Sequence, residues 1–319
     1  MDVVVIGAGA LGTILAAHLS TAGHQVTVLA RGRRAAQVKQ HGMIVRGLVE
    51  LNVQCNVLDH PTAIADADLL IVTVKTYDND AAIASLPPCR FDTIFSVANG
   101  VLKNAQLTDR FGADAVLGCM ANTSGELLDD GKVRFTRNVC LHLGELNGGV
   151  SSRANAIART IDDCGVAAAA EEDIRVVEWS KFVGWTALLS LSVSTRFPTA
   201  KLLADPHCAL LATRMMAEMA KIARARGIKI VDQSPLPVAS IVAGPLENGR
   251  DIVMAIGDEW MISAPEHRMS SLQDLERGKR LEVEETLGYA LAEAKRLVIE
   301  TPTLETFYEL ITGINATLT

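Results

Sequence analysis

The first thirty residues of this chain constrain its fold more than any other segment does. A short β-branched run at 3–6 leads into the sequence GAGALG at 7–12, and an apolar helical pattern then precedes a second strand-like run at 25–29. Strand, glycine turn, helix and strand in this order are typical of the opening βαβ unit of a dinucleotide-binding domain. The sequence therefore predicts a nucleotide site at this turn.

The three glycines of the motif have separate mechanical roles. Gly7 permits a tight turn, Gly9 lets the backbone approach a pyrophosphate, and Gly12 lets the helix pack close to its strand. The helix then directs its N-terminal N–H groups and the positive end of its dipole at the phosphates. The loop residues expected to bind the dinucleotide are Gly7, Ala8, Gly9, Ala10, Leu11 and Gly12.

The end of the second strand-like run indicates which dinucleotide is bound. A cofactor without a 2′-phosphate usually meets an acidic residue here, which hydrogen-bonds the ribose hydroxyls. This chain has no carboxylate at that point and carries three arginines, Arg31, Arg33 and Arg34. Planar, permanently charged guanidinium groups suit a phosphate dianion. The sequence therefore predicts NADP(H), with Arg31 as the main ligand of the 2′-phosphate; the alternative is an ordinary basic loop.

Length and composition exclude several classes of protein. At 319 residues the chain is long enough for two domains with a substantial core. A net charge of −7, with no basic stripe beyond the arginine loop, argues against a nucleic-acid partner. The six cysteines are scattered without metal-ligand spacing, so free thiols and no metal are expected. Because no basic leader or membrane-length apolar run is seen, we expect a cytoplasmic protein with no membrane partner.

The pattern of segments predicts an α/β fold class in two domains. Residues 1–168 alternate strand-like and helix-like segments, and the apolar runs at 68–74 and 93–97 are typical of parallel strands buried on both faces. We predict an N-terminal Rossmann-type parallel sheet domain at 1–168, which binds NADP. An all-helical C-terminal domain is predicted at 169–319, and the family resemblance described below implies that it supplies substrate binding and catalysis.

Further elements follow from the same patterns. A hairpin is expected at 42–53, and two late strands, antiparallel in one interpretation, at 133–136 and 139–144. Helices are expected at 151–164, 173–192, 206–226, 236–255, 264–296 and 303–316.

Two polar residues follow neighbouring strands of the predicted sheet. Lys75 comes after the run at 68–74, and Asn99 comes after the run at 93–97. Ligands of open α/β sheets bind at the carboxyl ends of the strands, so both residues are expected beside the nicotinamide. The alternatives are a solvated lysine after a strand and an asparagine that forms a turn before Gly100.

Lys181 is a candidate catalytic acid. It lies on a predicted helix among apolar residues that include Phe182, Trp185 and Leu188. Burial lowers the pKa of a lysine, which suits a group that delivers a proton near neutral pH. The alternative is a lysine whose stem crosses the apolar face while its ammonium reaches solvent.

Another polar segment lies nearer the C-terminus. Ser270 and Asp274 precede a basic stretch at 277–280. By itself this pattern favours a capped, charged helix surface.

Taken in order, these segments resemble the ketopantoate reductase (2-dehydropantoate 2-reductase) family over nearly the whole chain. The resemblance implies a Rossmann domain followed by a helical domain, with the active site in the cleft between them and, as in many members, a homodimer. The matching motifs are GAGALG at 7–12, Arg31, TVK ending at Lys75, ANG at 98–100, EWSK ending at Lys181, LLADP at 202–206, SSLQD at 270–274 and RLE at 280–282.

The resemblance implies a role for each polar candidate. Lys181 matches the catalytic lysine that gives a proton to the substrate carbonyl, and Glu282 matches the glutamate that holds this lysine and the substrate in place. Ser270 matches the serine that binds the substrate carboxylate. Asn99 matches the asparagine near nicotinamide and substrate, and Lys75 the lysine at the same mouth.

Three positions depart from the family pattern. The family usually has asparagines four and eight residues after the catalytic lysine and five after the glutamate, where this chain has Trp185, Leu189 and Leu287. A helix places 181, 185 and 189 along one face, so the changes are expected to line the substrate side. The expected substrate-binding set is Asn99, Lys181, Trp185, Leu189, Ser270 and Glu282.

The expected reaction is the reduction of a small-molecule 2-oxo acid by NADPH, with ketopantoate as the substrate that the resemblance implies. The three departures favour a bulkier, less polar 2-oxo acid as an alternative. A non-catalytic NADPH-binding regulatory protein is a second alternative, and a dehydrogenase that works mainly in the oxidative direction is a third.

Overall fold

The computed structural model describes residues 1–233 and 235–318. By their contacts these residues form two units, which divide between Arg175 and Val176. The strands are β1 (Asp2–Ile6), β2 (Gln25–Leu29), β3 (Met43–Gly47), β4 (Leu51–Val53), β5 (Asn56–Leu58), β6 (Ala67–Val72), β7 (Phe91–Ser96), β8 (Leu117–Leu127), β9 (Val133–Glu145) and β10 (Ala168–Ala170).

Helices alternate with the strands of the first unit and make up most of the second. They are α1 (Ala10–Thr21), α2 (Gly32–His41), α3 (Thr76–Ala84), α4 (Leu102–Phe111), α5 (Ser152–Asp163), α6 (Ile174–Thr195), α7 (Thr199–Ala204), α8 (Pro206–Ala225), α9 (Val238–Ile241), α10 (Leu246–Ser263), α11 (Ser270–Glu276), α12 (Tyr289–Arg296) and α13 (Pro302–Ala316). Short 3₁₀ turns lie at Pro61–Ala63 and Ala113–Ala115, and a π-helical turn lies at Glu284–Gly288.

Five parallel strands form the sheet that the sequence predicts, in the order β5-β2-β1-β6-β7. Because side chains alternate between the two faces of a strand, β1 contributes side chains to two hydrophobic clusters, one on each face of the sheet. Val3 and Val5 pack into one cluster, and Val4 and Ile6 into another. The chain continues from β1 to β2 on one side, whereas β6 pairs with β1 on the other, so the loops after β1 and β6 flank a topological switch point.

A second sheet completes the first unit. It has the order β10-β9-β3-β4, and β8 pairs antiparallel with β9. The predicted hairpin at 42–53 is confirmed, since β3 and β4 are antiparallel. The prediction of separate strands at 133–136 and 139–144 is wrong, because β9 runs unbroken and absorbs its irregular pairing with β8 as shifts of register.

The structure also shows how the chain leaves this sheet. The predicted domain boundary at 168/169 falls inside β10, which pairs in parallel with β9 through Ala168–Ala170. The first unit accordingly extends to Arg175.

The predicted helices of the second half agree with the structure except at two places. The helix predicted at 236–255 is two helices, α9 and α10, because Gly244 and Pro245 interrupt the pattern and Pro245 stands before α10. The helix predicted at 264–296 is also broken. Gly278 has φ +63°, and the chain runs without helical structure from there to the π-helical turn.

Polar side chains begin two of these helices. Ser151 accepts a hydrogen bond from the backbone N–H of Ala154 and caps α5. Asp205 accepts from the N–H groups of His207 and Cys208 and caps α8, with Pro206 in the first turn. The LLADP motif is thus explained by a helix start. Within the residues that the structure describes, no helix has the length and apolar character needed to cross a membrane.

Candidate functional site

The glycine loop lies at the carboxyl edge of β1. Gly7 has φ +100°, a conformation that favours glycine, and its N–H donates to the carbonyl oxygen of Leu29 at 2.9 Å. Thr73, directly after β6, holds the same turn: its hydroxyl lies 3.0 Å from the carbonyl of Ile6 and 2.9 Å from that of Gly7. The loop is therefore fixed to both neighbouring strands.

The two remaining glycines of the motif meet opposite surroundings. A Cβ atom on Gly9 would have no atom within 4 Å, and no side chain caps α1 at this residue. A Cβ atom on Gly12 would instead collide with the carbonyl oxygen of Gly7 and approach the Thr73 hydroxyl to 2.5 Å. The open helix N-terminus at Gly9 fits a pyrophosphate, whereas Gly12 is required by packing.

The three arginines after β2 have different partners. Arg31 stands before α2 and its side chain is exposed. Its guanidinium has no hydrogen-bond or ion-pair partner among the described residues. Arg33 donates to the carbonyl of Asp129 at 3.4 Å. Arg34 is half-buried, makes four hydrogen bonds, and has its pKa lowered by that burial. Arg31 is thus the arginine of this group whose fork is available to a ligand.

The structure brings Lys75 and Asn99 to one edge of the sheet. Val72 pairs with Ser96 at the ends of β6 and β7, so both polar residues follow adjacent strands. The Thr76 hydroxyl donates to the carbonyl of Asn99 at 3.2 Å and ties the two loops together. Lys75 and Asn99 are half-buried and each has at least one interaction partner.

Sequence reasoning missed Lys103, which supports this edge. Its side chain is only 1% exposed, and its ammonium donates to the carbonyl of Gly100 at 2.8 Å. The residue lies on the buried side of α4, directly after the ANG motif. A lysine inside a helix usually indicates a solvated face, so nothing in the sequence distinguishes it. Thr73, which holds the glycine turn, is easier to recognise in the sequence, because it is a polar residue near the end of an apolar run.

In the second unit, Lys181 lies on α6 in largely buried surroundings. Its own side chain is half-buried and has at least one interaction partner, and Glu178, one turn earlier, is 4% exposed. The neighbouring Ser180 hydroxyl donates to the carbonyl of Val176 and accepts from the N–H of Val231. The lysine therefore lies on a largely buried segment of helix.

Aromatic packing brings α6 next to the segment that follows Glu282. The rings of Trp179 and Phe182 meet edge to face at 5.6 Å, and the Phe182 ring lies 6.4 Å from that of Tyr289, the first residue of α12. Glu282 itself is 6% exposed and has at least one interaction partner. The helix turn of Lys181 and the turn after Glu282 thus belong to one packed region.

The π-helical turn after Glu282 carries another buried carboxylate that sequence reasoning did not single out. Glu285 is 8% exposed and accepts from Arg280 at 3.0 Å, while its second oxygen is buried without a hydrogen-bond partner. Burial raises the pKa of Glu285, with the charges of Glu282 and Glu284 adding to the effect and Arg280 opposing it.

The other expected substrate residues lie in different surroundings. Ser270, at the first turn of α11, is exposed, whereas Ser271 is buried and its hydroxyl lies 3.4 Å from that of Ser192 on α6. Trp185 is 8% exposed and Leu189 is 1% exposed, so Leu189 offers no surface to a substrate.

Leu287, the third position that departs from the family pattern, is also buried, and two serines of α6 bond within their own helix. Leu287 is fully buried within the π-helical turn. On α6, the hydroxyls of Ser190 and Ser194 donate to carbonyls of their own helix, at Thr186 and Ser190. The donor hydrogens of these two hydroxyls are therefore used within the helix.

The two halves of the chain match two models of one family. Residues 3–148 match the model described as ketopantoate reductase PanE/ApbA, and residues 173–315 match the C-terminal model of the same description. The chain belongs to the ketopantoate reductase family. It is an oxidoreductase that acts on CH–OH groups, with ketopantoate reductase-like function.

Relatives agree with this assignment, and solved structures agree with the fold, over the full length. The chain is 29% identical to a 2-dehydropantoate 2-reductase of Archaeoglobus fulgidus, covering 98% of each protein. A ketopantoate reductase of Ralstonia eutropha JMP134 has a TM-score of 0.84 at 24% identity, covering 100% of this chain and 99% of the other. A D-mandelate dehydrogenase solved with NADH and anilino(oxo)acetate has a TM-score of 0.85 at 16% identity, covering 100% and 99%. The predicted fold class and family are confirmed.

The contrast between Gly9 and Gly12 gives a test of the loop. Gly12→Ala gains about 1 kcal/mol of helix propensity but forces a Cβ into a backbone oxygen, so we expect a net loss of about 1–3 kcal/mol in the free energy of unfolding. Gly9→Ala, with open space around the new atom, should cost about 1 kcal/mol or less. Urea unfolding without ligand measures both, and equal losses would contradict the packing role of Gly12.

Proposed function

We propose that this protein reduces a 2-oxo acid to the 2-hydroxy acid with NADPH. One observation carries the proposal, namely that each unit has the groups which one half of this reaction needs. The first unit has an open helix N-terminus at Gly9 and the exposed Arg31. The second unit has the half-buried Lys181, packed next to the segment that follows the buried Glu282. The family membership supports a reductase of this kind. As in many family members, a homodimer is part of the proposal.

The residues of the first unit fit a dinucleotide. The N–H groups at the start of α1 would hold the pyrophosphate, and the exposed guanidinium of Arg31 would hold the 2′-phosphate. Lys75 and Asn99 lie at the carboxyl ends of β6 and β7, where the nicotinamide end of the cofactor is expected. When bound, the reduced nicotinamide supplies the hydride that adds to the ketone carbon.

Lys181 would supply the matching proton. Its ammonium stabilises the negative charge that develops on the carbonyl oxygen and then donates a proton to it, which gives the hydroxyl of the product. Glu282, a buried carboxylate in the segment that leads to Tyr289, would orient the lysine and the substrate. The exposed hydroxyl of Ser270 would hydrogen-bond the substrate carboxylate.

Replacing Lys181 tests this role. We expect Lys181→Ala to lower kcat by roughly 10²–10⁴-fold, the usual contribution of a general acid, while the Kd of NADPH changes little. Lys181→Arg keeps the charge but is a very weak acid, so it should remain strongly impaired. Lys221→Ala, an exposed lysine of the same unit, is the control. Near-normal kcat in Lys181→Ala would contradict the proposal.

Cofactor choice is tested at Arg31. Arg31→Asp removes the proposed phosphate ligand and adds a carboxylate that can bind ribose hydroxyls, so the preference for NADPH over NADH should fall by at least about 10-fold. The measurement is kcat/KM for both cofactors. An unchanged ratio would contradict the assignment of NADP(H). NADH is the relevant alternative, because a D-mandelate dehydrogenase of the same fold was solved with it.

A less polar substrate than ketopantoate is the second candidate. Trp185 stands at a position where the family usually has asparagine, and it keeps a small exposed surface. An indole there favours an apolar or aromatic side chain on the 2-oxo acid. The D-mandelate dehydrogenase of the same fold binds anilino(oxo)acetate, an oxoacetate with an aromatic group.

A substrate panel decides between the two candidates. If the indole contacts the substrate, Trp185→Asn should raise kcat/KM for ketopantoate and lower it for branched or aromatic 2-oxo acids, each by roughly 10-fold. NADPH oxidation with each substrate gives the values for wild type and variant. A wild-type preference for ketopantoate that Trp185→Asn leaves unchanged would exclude the less polar substrate class.

A further inference from the structure

Arg34 connects the glycine loop to three other parts of the first unit. Its Nε donates to the carbonyl of Ala8 at 2.7 Å, and one Nη donates to the hydroxyl of Thr13 on α1 at 2.8 Å. The other Nη donates to the side chain of Gln37 at 3.0 Å and to the carbonyl of Gly131 at 2.8 Å. A guanidinium has five N–H donors, so most of its capacity is spent inside the protein.

The partner at Gly131 belongs to the tight turn between β8 and β9. Leu128 and Lys132 close this turn through a backbone hydrogen bond of 2.9 Å, and Gly131 has φ +83° at its tip. Gln37 also donates to the carbonyl of Asp130 at 2.8 Å. The turn of the second sheet is therefore fastened to α2, and Arg34 extends the connection to the glycine loop.

The hydrogen bond to Ala8 sets the direction of a peptide group that faces the proposed pyrophosphate site. Ala8 is buried, and its carbonyl oxygen also accepts from the Thr13 hydroxyl at 3.3 Å. A trans peptide is planar, so its N–H points opposite to its C=O. Since the Ala8 carbonyl accepts from Arg34, the N–H of Gly9 in the same peptide points away from Arg34. A Cβ atom built on Gly9 would meet no atom within 4 Å, so there is open space beside this peptide.

We propose that Arg34 is a positioning residue for dinucleotide binding, which aligns the Ala8–Gly9 peptide with the pyrophosphate and does not bind the 2′-phosphate. The β8–β9 turn, through Gly131 and Gln37, holds Arg34 in place. This inference rests on the proposed dinucleotide-dependent function. It separates Arg34 from Arg31, which the sequence pattern alone placed in one basic group.

The test is the affinity of each variant for NADPH and for NADH, measured as a Kd from the change in cofactor fluorescence on binding. Arg34→Gln and Arg34→Lys lose the fork geometry, so both Kd values should rise by the same factor, roughly 10-fold, while kcat at saturating cofactor stays near wild type. The pyrophosphate is common to the two cofactors, so their ratio of Kd values is unchanged. Arg31→Asp, in contrast, changes that ratio.

A second variant tests the connection from a residue that does not touch the loop. Gly131→Ala strains a residue at φ +83° and drives its Cβ into the Gln37 side chain, so it should weaken both cofactors equally, by a smaller factor than Arg34→Gln. Arg90→Gln is the control, because Arg90 is an exposed arginine of the same unit whose side chain pairs with Asp92. Its Kd values should match those of wild type.

Three results would overturn the inference. If Arg34→Lys weakens NADPH alone, Arg34 is a ligand of the 2′-phosphate. If Arg34→Lys and Gly131→Ala both leave the two Kd values unchanged, the contacts do not position the loop. If the wild-type protein binds neither dinucleotide, the proposed function fails, and the inference fails with it. Arg34→Lys and Gly131→Ala keep the test decisive should Arg34→Gln not fold.

Discussion

The close approach of α1 to the turn after β1 is the contact on which the nucleotide-binding unit depends. The carbonyl of Gly7 occupies the space that a side chain at residue 12 would fill, and the Thr73 hydroxyl lies against the same carbonyl. Because the residue before α1 is Gly9, no side chain caps this helix, and a Cβ atom built on Gly9 would meet open space. Gly12 is thus required because the space around it is filled, whereas Gly9 leaves space open where a ligand can approach.

The second unit places its functional groups by burying charge in a framework of helices. Glu178 and Glu282 are both nearly inaccessible, and the rings of Trp179, Phe182 and Tyr289 fill the space around this part of α6. A buried carboxylate is costly unless it has partners, which both glutamates have. The arrangement holds Lys181 on a helix with buried neighbours, which suits the proton transfer proposed for it.

Sequence reasoning succeeded where one residue pattern had one physical solution. The alternation of strands and helices predicted the parallel sheet, and the glycine spacing predicted the loop. It failed at 264–296, where the helical pattern continued through Gly278. At the arginine loop it gave no sign of the different partners of Arg33 and Arg34. Local patterns do not report which partner a long side chain reaches, since that partner lies far away in sequence.

By itself, the sequence determined the class of fold and the glycine turn, because these follow from local periodicity and from the space that glycine leaves. Its ordered motifs, by resemblance, pointed to the family. Only the tertiary structure decided which polar residues are available. It assigned Arg34 to the interior contacts of Ala8 and Gly131, buried Lys103 behind the Asn99 loop, and placed Leu189 and Leu287 in the core. The physical reason is that hydrogen-bond partners and burial are properties of residues brought together from distant parts of the chain, and no short pattern contains both members of such a pair.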